Sequence, residues 1–222
     1  MKLIAKAKPV KIRIKSGGEE HTSLDSLKRN FNISDIQPLL DGRLVRWLKQ
    51  QGENDLANEI SKFKVSLLYS AQGIMKFLSL FYCDDLNNNN IQSPIHLVEY
   101  WNTIPHFKKN SEYLCKYLIY NDRYSAKYFY HSNILPSENW ITVFSKFENE
   151  NDGEVLYILG RLYFSNKDLQ NAKKYIKVAM ELGWYDELNV YQNIIHEEEM
   201  EKMKEMLKMN KIKIEEVKSI FK

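Results

Sequence analysis

His196-Glu197-Glu198-Glu199-Met200 begins like the H-E-x-x-H helix of a zinc protease. That chemistry needs two histidines one turn apart to hold the metal, with the glutamate as base. Met200 stands where the second histidine is required, so the pattern fails. Gly17-Gly18 lacks the Lys-Ser/Thr and the helix that follow a phosphate-cradling loop, and there is no G-x-S-x-G elbow. Asp84 to Asn90 is rich in oxygen donors but lacks the ligand spacing and closing glutamate of a calcium loop. His96 and His106 have no partners at metal-ligand spacing and read as surface or hydrogen-bonded histidines. Cys83 and Cys115 lie far apart on apolar helix faces. They read as buried thiols of a reducing compartment, not as a disulfide or a metal pair. Cys115 has no histidine near it in sequence, and carboxylates cluster only in runs that helix solvation explains. The expectation is no catalytic residue, no cofactor and no metal. An enzyme remains only as a reaction type with no recognisable motif.

Positive charge is the other candidate. Lys11, Arg13 and Lys15 alternate with Val10, Ile12 and Ile14, and Arg43, Arg46 and Lys49 recur at three-residue steps along a helix. Either set fits a phosphate or an acidic peptide. Lysines that keep an exposed strand edge soluble, and an ordinary solvated helix face, are the simpler explanations of the two sets. A net charge of +3 is too small to demand a nucleic acid.

These residues must be carried by helices. The chain has 222 residues, 44% of them hydrophobic and 27% charged, with 8 Gly and 5 Pro, the profile of a globular protein built from helices. Its 13% aromatic content suits helix packing with polar handles. No signal peptide and no membrane-length apolar run is read, so a cytoplasmic protein is expected. Two domains are expected: residues 1–63, a strand with a small helical module, and residues 64–222, a larger helical region.

Residues 2–15 alternate as a strand or hairpin with one wet face, ended by Ser16-Gly17-Gly18; Pro9 suggests an edge. A lone strand needs a partner: Met1 to Ala7 folded back, another subunit, or another protein. Thr22 or Ser23 caps a helix through Leu24, Leu27 and Phe31, and Ser34 to Gln37 has capping-box spacing. Arg43 to Gln51 forms a cationic amphipathic helix stopped by Gly52, and Leu56, Ala57 and Ile60 continue the pattern. Residues 64–83 read as one long helix with Leu67, Leu68, Ala71, Met75, Leu78 and Tyr82 buried, followed by a loop over 84–90. Ser93-Pro94 starts a helix to about Trp101. Residues 111–131 suggest a helical hairpin, and Pro136-Ser137 caps the helix of Trp140, Val143, Phe144 and Phe147.

The strongest pattern runs from Glu154 to Trp184. Val155, Leu156, Leu159 and Tyr163 form one helical face; Leu169, Ala172, Ile176 and Ala179 form another. Asn151 or Asp152 caps the first helix, Ser165 to Asp168 has capping-box spacing, and Gly183 fits a left-handed stop. Gly160 in mid-helix costs about 1 kcal/mol against Ala, which makes sense if a second helix comes close. This stretch resembles a tetratricopeptide or Sel1-like repeat. Leu159-Gly160, Tyr163, Ala172 and Ala179 fall where that family has its leucine-glycine, tyrosine and two alanines, and Met180 to Gly183 looks like the Sel1-type end. It departs from the family at Leu156, Ile176 and Trp184, and one copy is present. The resemblance implies an array of helical hairpins in which Glu154, Tyr157, Arg161 and Phe164 face a partner-binding groove. Tyr157 and Phe164 packing on the preceding helix is the alternative. Residues 22–63 are also similar to a short G-R-L-x-x-W-L-x-x-x-G-x-x-x-L-A segment of multidomain bacterial proteins, which implies no activity.

Beyond Trp184, Leu188, Tyr191, Ile194 and Ile195 make a further apolar face. A charged helix follows, with Glu198 and Lys202 as a supporting pair. It reads as a terminal cap, with Met200, Met203, Met206 and Met209 packed at an edge or offered to a partner. Residues 211–222, with Ile214, Val217 and Phe221, read as a short helix or an assembly tail. The functional expectation is a non-catalytic protein–protein adaptor, or a subunit of a larger bacterial assembly. The alternative is a nucleic-acid accessory factor using Lys11, Arg13, Lys15, Arg43, Arg46 and Lys49.

Overall fold

The computed structural model describes residues 12–135, 137–186 and 188–220, with backbone alone over 213–220. Expectations that fall on Met1 to Lys11, Pro136, the side chains of Ile214 and Val217, and Phe221 lie outside the described residues. The described chain is mainly helical, with one short antiparallel hairpin. By compactness it divides into Met1–Asn133 and Ile134–Lys222, whereas the sequence reading divides it after Phe63.

In the first unit, β1 (Ile14–Ser16) pairs with β2 (Glu19–His21), Ile14 opposite His21. Gly17 and Gly18 both take positive φ, as a tight two-residue hairpin turn demands. The partner strand thus follows at once, three residues that the sequence reading left unassigned. Ile14 and Ser16 are buried while Lys15 is exposed, which is the alternation of one covered face. The Ser16 hydroxyl donates to the Asn30 carbonyl at 3.0 Å and accepts from Asn32 N–H at 2.8 Å, fixing the hairpin on the helices that follow.

Those helices are short and individually capped. Ser23 caps α1 (Leu24–Arg29), and Asn32, not Ser34, caps α2 (Ile33–Ile36). Gly42 at φ +110° turns the chain into α3 (Arg43–Gln50), Gly52 ends it, and α4 (Asn54–Lys62) buries Ala57 and Ile60. The long helix expected over 64–83 is broken. Val65–Tyr69 is a 3-10 turn, and Ser70 caps α5 (Ala71–Asn88) by accepting from Gly73 N–H. A Cβ on Gly73 would lie 1.9 Å from the Leu67 carbonyl, so glycine is what lets the chain fold back there. The buried face of α5 is Ile74, Phe77, Leu78, Phe81 and Tyr82; Leu67 is exposed and Met75 only half-buried. The helix kinks at Tyr82 but continues through the expected loop, burying Leu86.

Ser93 and Pro94 start α6 (Pro94–Asn102) as the sequence implies, Ser93 accepting from His96 N–H at 3.2 Å. Then come α7 (Lys108–Asn121) and α8 (Arg123–His131). Phe31 packs on Phe81 at 5.0 Å and Tyr82 on Trp101 at 4.9 Å, so aromatic rings join α5 and α6 to the chain before them. Within this core the Tyr82 hydroxyl and the Asn110 amide both donate to the Lys28 carbonyl, each at 2.7 Å. Tyr117 donates to the Leu68 carbonyl at 3.1 Å. The two bonds to Lys28 cross the expected boundary at residue 63, which is why the compact unit runs on past it.

The second unit starts with α9 (Trp140–Phe144), capped by Asn139, and a 3-10 turn to Glu150. Asp152 caps α10 (Gly153–Ser165). The turn into α11 (Leu169–Glu181) is capped by Asp168, while Ser165 instead donates back to the Arg161 carbonyl. Gly160 lies against Ile176, Tyr163 stacks on Tyr175 at 5.5 Å, and Gly153 meets Ala179 and Leu182, so the two helices run antiparallel. Gly183, at φ +84°, donates to Met180, and Trp184 N–H reaches the Ala179 carbonyl at 2.9 Å, closing a Schellman cap. The chain then enters α12 (Val190–Ile220), a single helix of 31 residues. Among the described residues no helix is long and apolar enough to cross a membrane.

Two consequences are measurable. A Cβ on Gly160 would sit 2.6 Å from Ile176 Cγ1 and Cδ1. Gly160→Ala should therefore lose about 1–2 kcal/mol by denaturant unfolding, despite better helix propensity. Ile176→Ala should lose about 2–5 kcal/mol, and the double variant less than the sum, because the second change removes the atoms that the first collides with. In the first unit, burial raises the Tyr117 phenol from 10.0 to about 12. The folded state holds this proton more tightly than the unfolded state does. The corresponding stability is complete below about pH 10 and is lost as pH rises towards about 12. Denaturant midpoints across that range should fall more steeply for wild type than for Tyr117→Phe.

Candidate functional site

The four side chains expected to line a groove start from α10. Tyr157 does not face outward: it is 7% exposed, and its hydroxyl donates to Asp186 Oδ1 at 2.9 Å. The Trp184 ring lies 6.3 Å from it. Burial first, then the Asp186 carboxylate it donates to, raises the Tyr157 phenol above its ordinary value. Glu154, Arg161 and Phe164 are half-buried. The Arg161 guanidinium sits over the Tyr157 ring at 6.0 Å, and Lys167 sits over Phe164 at 5.5 Å. The face that the repeat resemblance offers to a partner is thus covered at Tyr157 by the turn after α11.

That turn forms a different surface. Asp186 Oδ1 accepts from Val190 N–H at 2.9 Å and Oδ2 from Tyr191 N–H at 2.8 Å, so one carboxylate holds both α10 and the first turn of α12. The Schellman cap fixes where the turn leaves α11, and Asp186 fixes where it ends. Between them opens a cleft of about 320 Å³ lined by Met180, Trp184, Tyr185, Asp186, Asn189, Tyr191 and Gln192, with Gly183 at its edge. Its rim is apolar and open: Met180 is 46% exposed, Tyr185 77%, and Leu182 and Leu188 nearby are also exposed. Asp186 is the carboxylate of the cleft, and its oxygens are already committed to backbone and phenol donors. The cleft is suited to apolar and aromatic contact rather than to proton transfer. Sequence reading passed over it. The available signal was the pair Trp184-Tyr185 directly after a helix-stopping glycine, where the repeat family has proline.

The basic residues divide. Arg13, Lys15 and Arg43 come together around a groove of about 660 Å³ that also holds Glu20 and Asp35. Arg13 pairs with Glu20 at 3.0 Å, Lys15 with the same carboxylate at 3.8 Å, and Arg43 with Asp41 at 3.1 Å. The Arg43 backbone N–H, with its guanidinium, holds the Asp41 carboxyl below its usual range. The groove is therefore mixed in charge. Arg46 and Lys49 are exposed on α3 and do not line it. Lys11 lies outside the described residues.

Cys115 is buried as expected, but Cys83 is exposed, on the side of α5 that carries the exposed Lys76 and away from the stripe of Leu78, Phe81, Tyr82 and Leu86. His96 and His106 are exposed. Among the described residues no three of His, Cys, Asp and Glu come together as metal ligands.

Asp186→Ala should cost about 2–4 kcal/mol, since it strands the buried Tyr157 hydroxyl and uncaps α12. Amide exchange over the first turn of α12 should accelerate. Tyr157→Phe should cost only about 0.5–1.5 kcal/mol and leave that exchange unchanged. Compared with known proteins, the chain matches no family model, no curated protein and no solved structure.

Proposed function

We propose that this chain is a non-catalytic protein–protein interaction module, an adaptor or a subunit of a larger cytoplasmic assembly. Its contact surface is the aromatic-rimmed cleft that follows the α10–α11 hairpin. The observation that carries the reading is the exposed cluster of Met180, Leu182, Trp184, Tyr185 and Leu188 on a turn held from both ends. Large apolar side chains held rigid and open to water lose solvent without much ordering cost when another protein covers them. Tyr, Trp and Met are the types that dominate such contacts. The hairpin supports the repeat-like part of the proposal through its close glycine contact and its alanine face. Tyr157 holds that turn from beneath through Asp186, whereas Glu154, Arg161 and Phe164 do not line the cleft.

The nucleic-acid alternative has less support, because Arg13, Lys15 and Arg43 are shared with Glu20 and Asp41. Charge already neutralised within the chain releases fewer counterions from a phosphate backbone.

The test is affinity purification of wild type beside Tyr185→Ala/Met180→Ala and Arg46→Glu/Lys49→Glu, each checked for an unchanged melting profile. A specific partner should be recovered by wild type and by the basic-face variant. Its recovery by the cleft variant should drop at least about ten-fold, the effect of a contact worth about 1.4 kcal/mol or more. Identical partner sets for all three would overturn the proposal. Salt-sensitive nucleic acid recovered by wild type and lost from the basic-face variant would replace it with the alternative.

A further inference from the structure

Methionine is a side chain that folded proteins usually bury. Among the described residues, five are exposed: Met180 at 46% on α11, and Met200, Met203, Met206 and Met209 at 39% to 57% on α12. The α12 methionines, expected to pack at an edge, do not, because every residue from Glu199 to Ile212 is exposed. Glu198, expected to support the helix by pairing with Lys202, is instead bonded to Lys173 at 2.7 Å. Met75, on α5, is half-buried. A thioether that water reaches is one that a peroxide also reaches. Met180 differs from the α12 methionines in its place. Its carbonyl accepts from Gly183 N–H at 2.9 Å within the Schellman cap, which fixes its backbone. Its side chain lines the cleft with Trp184 and Tyr185. The packed side of α11 is Ala172, Ile176 and Ala179, so a change at the Met180 sulfur falls on the cleft and not on the core of the hairpin.

We propose, resting on the reading of the cleft as a contact surface, that Met180 is a site of reversible oxidation by hydrogen peroxide and that the oxidised cleft no longer takes its partner. A lone pair of the Met180 sulfur attacks one peroxide oxygen. The S–O bond forms as the O–O bond breaks, and the sulfur gives up two electrons. The hydroxide that leaves takes the proton carried by the transferred oxygen, so the products are a sulfoxide and water. A dithiol-dependent sulfoxide reductase reverses the step: the oxygen departs as water and two thiols become a disulfide. The sulfoxide is polar and chiral where the thioether was apolar and adaptable. In a cleft that binds by shedding water from Trp184 and Tyr185, it adds a strongly hydrated oxygen that an apolar partner side chain must strip. Met203 and Met206 undergo the same step outside the cleft, so they record exposure to the oxidant without reporting on the contact.

The test treats the full chain with dilute hydrogen peroxide, removes the peroxide, and reads each sulfoxide by peptide mapping at about 16 Da per oxygen. Met180 and the α12 methionines should convert before Met75. Affinity purification then compares untreated chain, oxidised chain, and oxidised chain returned by methionine sulfoxide reductase with a dithiol. Recovery of the partner should fall at least about ten-fold on oxidation and come back on reduction. Oxidation should not change the recovery given by Met180→Leu, whatever its starting level. A chain with Met200, Met203, Met206 and Met209 all changed to Leu should still lose the partner on oxidation. Protection is a second readout: with partner bound, Met180 should oxidise at least about ten-fold more slowly than in the free chain. Unchanged recovery with Met180 fully converted, a loss that Met180→Leu does not prevent, or an unchanged Met180 rate in the complex would each overturn the proposal. If untreated Tyr185→Ala/Met180→Ala keeps the partner, the cleft reading itself falls, and the oxidation site falls with it.

Discussion

Asp186 accepts three hydrogen bonds, one from the Tyr157 phenol and two from the first amides of α12. Much of the second unit's geometry depends on that convergence. Without it the turn after α11 would have no fixed exit, Tyr157 would bury a hydroxyl without an acceptor, and α12 would start with unsatisfied donors. Because the carboxylate is held from two sides, the residues between, Trp184 and Tyr185, are presented on a rigid frame rather than on a free loop. The same contact therefore closes one surface, the outer face of α10, and opens another.

The hairpin beneath it is held by shape. Gly160 removes a side chain where Ile176 must come close, and Ala172 and Ala179 keep the facing side of α11 low. Polar groups finish the hairpin's edges: Tyr175, stacked on Tyr163, donates to Glu148 at 2.5 Å. Burial and that carboxylate together push the Tyr175 phenol far above its ordinary value. In the first unit the corresponding role belongs to buried polar bonds across long sequence separations. Tyr82 and Asn110 converge on one carbonyl of α1, and His21 bridges the Ser16 carbonyl and the Ser26 hydroxyl, each at 2.9 Å. Buried donors are costly unless they find an acceptor, and the Tyr82 hydroxyl and Asn110 amide each find one although Asn110 Oδ1 is left without a partner, so they specify one arrangement of short helices that weak propensities alone would leave open.

The two exposed apolar features of the second unit differ in kind. The cleft is compact, aromatic and pinned through Asp186. The stripe of Met200, Met203 and Leu207 on α12 is regular and exposed.

What could be read from the residues alone was whatever is settled within a few positions. The cap at Ser93, the caps at Ser23 and Asp152 to within one residue, the stops at Gly52 and Gly183, and the close approach at Gly160 were legible, because a cap or a left-handed turn answers to its immediate neighbours. The mainly helical class followed from the spacing of apolar residues. The partner of β1, the break at Ser70, the kink at Tyr82 and the burial of Tyr157 were not legible. Each depends on a group distant in sequence or on a backbone approach that no local pattern records: Leu67 on Gly73, Lys28 on Tyr82, Asp186 on Tyr157. The stripe of methionines on α12 was visible in the letters. That it stands clear of its own unit is a fact of tertiary packing, since periodicity marks which face is apolar but not what covers it.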